Sequence, residues 1–147
     1  ARKRILYGMK QCDIMKISEE EVAFVSEQES LEKGVSFIRD NSDIKILFVT
    51  LGNKGSIAYY KDEKIYCRGI HQEHVVDTTG AGDTFCGAVL SRILELGTDA
   101  LTEKDIREML LFANAAASIV VTRKGALCSM PEPEEIRAAS SLIDKVL

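Results

Sequence analysis

The sequence predicts an α/β protein, and three observations lead to this class. Segments typical of strands alternate with amphipathic segments of helical period along the 147 residues, as expected when helices cover a sheet. Residues 45–51 are almost continuously apolar, which is typical of a strand buried on both faces in a parallel sheet. Hydrophobic residues make up 46% of the chain and charged residues 29%, a globular composition that excludes a disordered chain.

The N-terminal part of the chain has the patterns of helices around one strand. Residues 5–9 carry apolar side chains at helical spacing, and residues 13–17 form a short apolar segment that predicts a buried strand. Ser18 and Glu21 have the S-x-x-E spacing of a capping box, which predicts that a helix begins there. Residues 30–40 repeat the helical spacing and predict a further helix with one apolar face.

The middle of the chain predicts a strand followed by a hairpin. The apolar strand at 45–51 is ended by the glycines of 52–55. Residues 56–60 and 64–68 then read as two antiparallel strands, joined by the polar residues 61–63.

The C-terminal half predicts three helices. The first ends near Leu96 with Gly97 as its C-cap, and the second begins at Thr102, an N-cap residue, and is ended by Gly125. Small and apolar residues follow one face of the second helix and suit close packing on a sheet. They are Ile106, Met109, Leu110, Ala113, Ala116, Ala117 and Val120. Pro131 and Pro133 introduce the third helix, with apolar positions continuing to Val146.

Charge and composition exclude several classes of function. The net charge of −4, without a basic block, argues against a nucleic-acid partner, because phosphate binding needs clustered positive charge. No apolar run approaches the roughly 18 residues that cross a bilayer, so no membrane partner is expected. The four cysteines are far apart and only two histidines accompany them, which argues against a zinc site and favours the cytoplasm.

The glycine-rich string Asp77-Thr-Thr-Gly-Ala-Gly-Asp-Thr-Phe85 is the segment most informative about chemistry. Two glycines flank one alanine where a loop enters a helix, so several N–H groups can point the same way at the positive end of the helix dipole. Such a turn binds phosphate or another anion. Asp83 beside it suits a base that accepts a proton from a hydroxyl group. The alternative, that Asp83 is only the helix N-cap and the glycines only form a turn, is equally compatible with this string.

With these motifs together, the chain resembles the C-terminal half of a ribokinase-like (PfkB-type) carbohydrate kinase, and bacterial fructokinases most of all. The string 77–85 is similar to the second signature of that family. Further similar segments, in the same order, are 16–21, 49–55, 112–117 and 121–126. The resemblance implies a three-layer α/β/α fold with a mostly parallel sheet and an antiparallel hairpin. Residues 1–147 would be the C-terminal, nucleotide-binding portion of a single kinase domain whose N-terminal, sugar-binding half is absent.

The resemblance also implies the roles of individual residues. Asp83 is similar to the catalytic base that deprotonates the sugar hydroxyl. The amides of Gly80, Ala81, Gly82 and Asp83 would form the anion hole for the transferred phosphoryl group. Nucleotide-contacting positions match Thr50, Gly52 and Asn114.

Two metal sites are implied in the same way. Glu21 matches the acid of an element associated with Mg²⁺, although Ser18 stands where ribokinase has Asn, and a capping role for Glu21 stays open. A K⁺ site would use the side chains of Asp77 and Thr79 with main-chain carbonyls of a later loop; bracing the turn is the alternative role for these two residues. The carbonyls implied are those of Val120, Arg123, Gly125 and Ser129.

The expected function is ATP-dependent phosphorylation of a sugar hydroxyl, with fructose favoured and with ATP, Mg²⁺ and K⁺ as the implied ligands. Because the sugar-binding half is expected to be absent, these residues alone should bind nucleotide weakly and not phosphorylate a sugar. A homo-oligomer is expected, since a truncated sheet exposes an edge and apolar surface. Two other functions stay open: a non-catalytic nucleotide- or anion-binding module, and a structural, oligomer-forming fragment.

Overall fold

The computed structural model describes residues 1–125 and 127–143. Its helices are α1 (Arg2–Met9), α2 (Glu19–Ser26), α3 (Leu31–Asp40), α4 (Ala81–Leu96), α5 (Glu103–Val120) and α6 (Pro133–Ile143). Its strands are β1 (Ile14–Ser18), β2 (Ile46–Thr50), β3 (Gly55–Tyr60) and β4 (Glu63–Arg68). Short 3₁₀ turns lie at Gly52–Lys54 and Leu127–Ser129. Within these residues, no helix combines the length and apolar composition needed to cross a membrane.

The elements form three layers around a four-stranded sheet of order β1-β2-β3-β4. One face is covered by α1, α2 and α3, whose apolar side chains pack with Leu47, Val49 and Ile57 of the sheet. The other face is covered by α4, α5 and α6, which pack on Phe48 and its neighbours. Alternate residues of β2 therefore enter two separate cores, which explains why the whole strand is apolar.

The sheet is mixed and mostly antiparallel in this chain, so the prediction of a mostly parallel sheet is wrong. Only β1 and β2 are parallel, with α2 and α3 forming the crossover between them. The β2–β3 and β3–β4 pairs are antiparallel. The reason is connection length: four residues, 51–54, join β2 to β3, whereas a parallel pair needs a crossover of a dozen or more residues. The predicted hairpin is confirmed as β3–β4.

Most predicted helix starts are confirmed by capping hydrogen bonds. Ser18 caps α2 and Thr102 caps α5, each in a complete capping box, and Ser30 caps α3. The predicted end of α5 is wrong: the helix stops at Val120, before Gly125. The predicted extension of α6 to Val146 lies outside the described residues.

An aromatic contact fixes the start of α4 on the sheet. Phe85, two residues after Asp83, is buried and meets Phe48 of β2 edge-to-face, with ring centroids 6.3 Å apart. Burial of both rings anchors the first turn of α4. The glycine-rich string is thereby held close to the edge where β1 and β2 both end.

Candidate nucleotide-binding and phosphoryl-transfer site

The turn into α4 leaves several backbone donors unused. Gly80 is the N-cap residue and has φ 84°, a left-handed conformation that favours glycine. Among the described residues, the N–H groups of Gly80, Gly82 and Asp83 have no acceptor, whereas Ala81 N–H donates to Thr78 O at 3.2 Å. Three of the four amides implied for the anion hole are therefore available to an oxyanion, and the fourth supports the turn.

Asp83 lies at the third position of α4 and is exposed. The alternative prediction, that Asp83 is the helix N-cap, is wrong, because Gly80 holds that position and no side chain caps the helix. Within the described part of the chain, the Asp83 carboxylate has no hydrogen-bond or ion-pair partner. It can accept a proton from an approaching hydroxyl without first breaking a protein contact.

A cavity of about 340 Å³ opens beside this turn. The walls come from the end of β2, the chain after β4, the start of α4 and the last turns of α5. Two sets of predicted residues meet in it: Thr50, Gly52 and Asn114 of the nucleotide set, and Ala81 and Gly82 of the anion hole. The cavity is large enough for part of a nucleotide, with the glycine-rich turn at one end.

Asn114 lines the cavity with a side chain already engaged by the protein. It is buried; its Oδ1 accepts from Ser56 Oγ at 3.0 Å, and its Nδ2 donates to the carbonyls of Cys67 and Arg68 at 3.3 Å. These bonds tie α5 to the hairpin. Asn114 therefore shapes the wall, and its amide is committed to holding α5 against β3 and β4.

Glu21 performs the capping role that stayed open for it. Its Oε2 accepts from Ser18 N–H at 2.8 Å, and Ser18 Oγ accepts from Glu21 N–H at 3.2 Å. Ser18 lies beside Thr50 in the sheet register, so this cap adjoins the strand end that lines the cavity. Glu21 is exposed and its second carboxylate oxygen has no partner among the described residues, so the side chain fits a cation as well.

Asp77 connects the two loops implied for the K⁺ site. Its Oδ1 accepts from Thr79 N–H at 2.9 Å, and its Oδ2 accepts from Gly125 N–H at 3.4 Å. These bonds, led by the Thr79 N–H, hold the pKa of the Asp77 carboxyl below its usual value. Asp77 therefore braces the turn, which is the alternative role that the sequence allowed for it.

Three of the four implied carbonyl ligands, at the end of α5 and in the residues after it, already accept hydrogen bonds. Val120 O accepts from Arg123 N–H at 3.1 Å, Ser129 O accepts from the Arg123 guanidinium at 3.5 Å, and Gly125 O accepts from Ser129 Oγ. The Arg123 guanidinium also pairs with Glu135. A carbonyl oxygen has a second lone pair, so these internal bonds leave each of the three oxygens able to accept a cation as well.

The profile of the pfkB family carbohydrate kinases matches residues 1–133. The chain belongs to this family. Fructokinase-1 of Oryza sativa subsp. japonica is 39% identical over 139 residues, which cover 92% of this chain and 42% of the rice protein. This member of the pfkB family therefore spans about two fifths of the length of such relatives.

Solved pfkB kinase structures match the fold closely. Fructokinase from Vibrio cholerae O395, bound to fructose, ADP and a calcium ion, has a TM-score of 0.84 and 30% identity, covering 93% of this chain and 44% of that one. A double mutant of the same fructokinase carries fructose, ADP and a potassium ion, at the same TM-score of 0.84. Arabidopsis thaliana ribokinase, complexed with ribose and ATP, has a TM-score of 0.77 and 33% identity, covering 90% of this chain and 42% of the ribokinase chain.

Sequence reasoning missed several residues that this pfkB chain places at the cavity. Ile70, Val75 and Val121 line its apolar wall, and His71 lines it while remaining exposed. These residues lie in irregular segments without periodicity, so no sequence signal placed them there. Lys16 is not among the residues that line the cavity, but a charged residue in the middle of the short strand β1 is a further signal of function in the sequence.

Proposed function

We propose that this chain is the nucleotide-binding part of an ATP-dependent sugar kinase that phosphorylates a hydroxyl of fructose. The 39% identity to a rice fructokinase and the fructose-bound Vibrio cholerae relative favour fructose over other sugars. The ATP- and ADP-bound relatives favour a nucleotide as the ligand of the cavity. The sugar contacts would come mainly from residues beyond this chain, which covers only 42% of the rice protein's length.

This proposal is carried by the exposed carboxylate of Asp83 and the unused N–H groups beside it, none of which has a partner among residues 1–125 and 127–143. Asp83 would accept the proton of the sugar hydroxyl as its oxygen forms a bond to the terminal phosphorus of ATP. The bond between that phosphorus and the bridging oxygen then breaks, and ADP leaves with the electron pair. The N–H groups of Gly80, Gly82 and Asp83 would stabilise the charge on the transferred group.

Two cations complete the proposed site. Glu21 would hold Mg²⁺, which supplies charge neutralisation on the phosphates of the nucleotide. K⁺ would be held by Asp77 and Thr79 together with the carbonyls of Val120, Arg123, Gly125 and Ser129. Since Asp77 already braces the turn before the anion hole, a cation there would stiffen the same turn.

The test is a coupled assay of ATP-dependent phosphorylation of fructose and ribose by the product of the complete reading frame. Asp83→Asn should lower kcat by roughly 10²–10⁴-fold and leave ATP affinity unchanged, because it removes the base and keeps the N–H groups. Asp62→Asn, in the exposed hairpin turn, is the matched control and should change neither quantity. An equal loss of ATP affinity and kcat in Asp83→Asn would contradict the assigned role.

A second candidate is a nucleotide-binding module that transfers no phosphoryl group. Two observations favour this function for the 147 residues alone. They cover only 42% of the length of the rice relative, and yet all the residues that line the cavity lie within them. Titration calorimetry with ATP, alongside the fructose assay, separates the two. Binding without turnover by the 147 residues, with turnover by the complete product, supports the proposed kinase; binding without turnover by both supports the module.

A further inference from the structure

Lys16 lies against the backbone of the glycine-rich turn. It pairs with Phe48 in the parallel register of β1 and β2, which places its side chain on the face of the sheet that α4 covers. A Cβ atom added to Gly82 would lie 2.9 Å from Lys16 Nζ and 3.6 Å from Cε. The ammonium group therefore lies close to the backbone of Gly82, in space that a side chain at position 82 would have to share with it.

This position is electrostatically unfavourable for an unpaired cation. The start of a helix carries partial positive charge, and Lys16 is half-buried there. Two other lysines of the sheet have carboxylate partners: Lys45, just before β2, with Asp13 at 3.4 Å, and Lys64, in β4, with Glu32 at 3.4 Å. In the described ranges, Lys16 Nζ has no carboxylate within ion-pair distance, so positive charge accumulates beside the unused N–H groups of α4.

We infer that Lys16 Nζ binds the terminal phosphoryl group of the nucleotide, together with the N–H groups of the α4 turn. An anion at this point would offset both the unpaired ammonium and the helix dipole. The inference rests on the proposed function and adds to it a cationic side chain that contacts the transferred group.

The location of Asp83 identifies which phosphate Lys16 meets. Gly82 and Asp83 are consecutive residues of the first turn of α4, and Lys16 Nζ touches the first of them. A base acts within hydrogen-bond distance of the attacking hydroxyl, so the phosphorus nearest to Asp83 is the one that hydroxyl attacks. The nucleobase and the ribose of the nucleotide would then occupy the apolar part of the cavity, near Ile70 and Val121.

The test measures affinities of the 147-residue chain for ATP, ADP and AMP by titration calorimetry with Mg²⁺ present. Lys16→Met should weaken ATP binding by about tenfold and leave AMP binding unchanged, because AMP lacks the group that Lys16 contacts. Lys16→Arg, which keeps the charge, should restore most of the preference for ATP. Lys45→Met, at the opposite end of the sheet, is the matched control and should weaken none of the three.

The outcomes separate the inference from the proposed function. If Lys16→Met weakens ATP and AMP equally, or neither, the inference is wrong while the nucleotide site stands. If the unchanged chain binds none of the three nucleotides, the proposed function fails and the inference fails with it. If thermal unfolding shows that Lys16→Met is misfolded, Lys16→Gln is used instead. It should weaken ATP binding by the same factor, and an equal effect on ATP and AMP, or no effect on either, would again overturn the inference.

Discussion

A carboxylate in the first turn of a helix can cap the helix or remain available to a ligand, and the backbone at Gly80 decides this for Asp83. With Gly80 in the left-handed region as the N-cap, Asp83 moves to the third helical position and bonds to nothing among the described residues. Glu21 occupies the same third position in α2 and does cap its helix. The partner of Glu21 is the backbone N–H of Ser18, an N-cap residue in extended conformation, whereas the N-cap residue Gly80 is left-handed. Two acidic residues at equivalent helical positions thus differ in the backbone conformation of the N-cap before them.

The two roles of Glu21 can be separated by substitution. Glu21→Gln keeps an acceptor for Ser18 N–H and removes the charge, so the unfolding temperature should stay nearly constant. The Mg²⁺ concentration needed for half-maximal nucleotide binding should rise roughly tenfold or more. Differential scanning fluorimetry and Mg²⁺ titrations monitored by calorimetry measure these two quantities.

Glu21→Ala is the comparison for that experiment. It removes both the acceptor and the charge, so it should lower the unfolding temperature by roughly 1–3 °C and raise the Mg²⁺ requirement equally. If Glu21→Gln leaves the Mg²⁺ requirement unchanged, Glu21 is only a capping residue.

At the scale of elements, the site is formed by loops that the sheet and helices bring together. The segment before α4 and the loop after α5 are distant in sequence, yet Val121 O accepts from Val76 N–H at 2.8 Å and from Asp77 N–H at 3.2 Å. The carboxylate of Asp77 adds the bond to Gly125 N–H. The glycine-rich turn is therefore positioned by the end of α5 as well as by its own helix.

The Asp77 contacts predict a pH dependence of stability. Because hydrogen bonds from Thr79 and Gly125 lower the pKa of Asp77 in the folded state, its stabilising contribution is present above the unfolded value of about 3.9. That contribution is lost as the pH falls through the lower folded pKa. Asp77→Asn should therefore lower the urea midpoint of unfolding at pH 7, and the difference from the unchanged chain should become smaller as the pH falls below the unfolded pKa.

Urea unfolding monitored by circular dichroism at pH 7, 5 and 3 measures this difference. Asp62→Asn in the exposed hairpin turn is the control and should match the unchanged chain at each pH. A midpoint difference for Asp77→Asn that is the same at pH 7 and pH 3 would show that the charge of Asp77 contributes nothing.

At the scale of the whole molecule, this chain has two cores but leaves both sheet edges and several apolar side chains uncovered. Among the described strands, β1 and β4 each pair on one side only. Leu94 is 87% exposed on α4 and Tyr7 is 71% exposed on α1. Unpaired strand edges together with exposed apolar side chains favour association between chains.

We therefore expect the 147-residue chain to self-associate. Size-exclusion chromatography with light scattering should give a mass above that of one chain, rising with concentration between about 1 and 100 μM. Leu94→Lys should shift the distribution towards smaller species, because it places a charge on the most exposed apolar side chain. A constant monomer mass over this range would contradict the expectation.

Local patterns in the sequence determined the elements of this protein: the capping boxes at Ser18 and Thr102, the hairpin, and the apolar strand at 45–51 are all present. The prediction of a mostly parallel sheet was wrong, although the four-residue connection after β2 already required β2 and β3 to be antiparallel. Tertiary structure alone decided what surrounds each site residue: the internal bonds of Asn114, the Asp77 link to Gly125, and the contact of Lys16 with Gly82. The reason is physical. Capping and periodicity depend on neighbours within a few residues, whereas these contacts join residues 46 to 66 positions apart that meet only when the helices pack on the sheet.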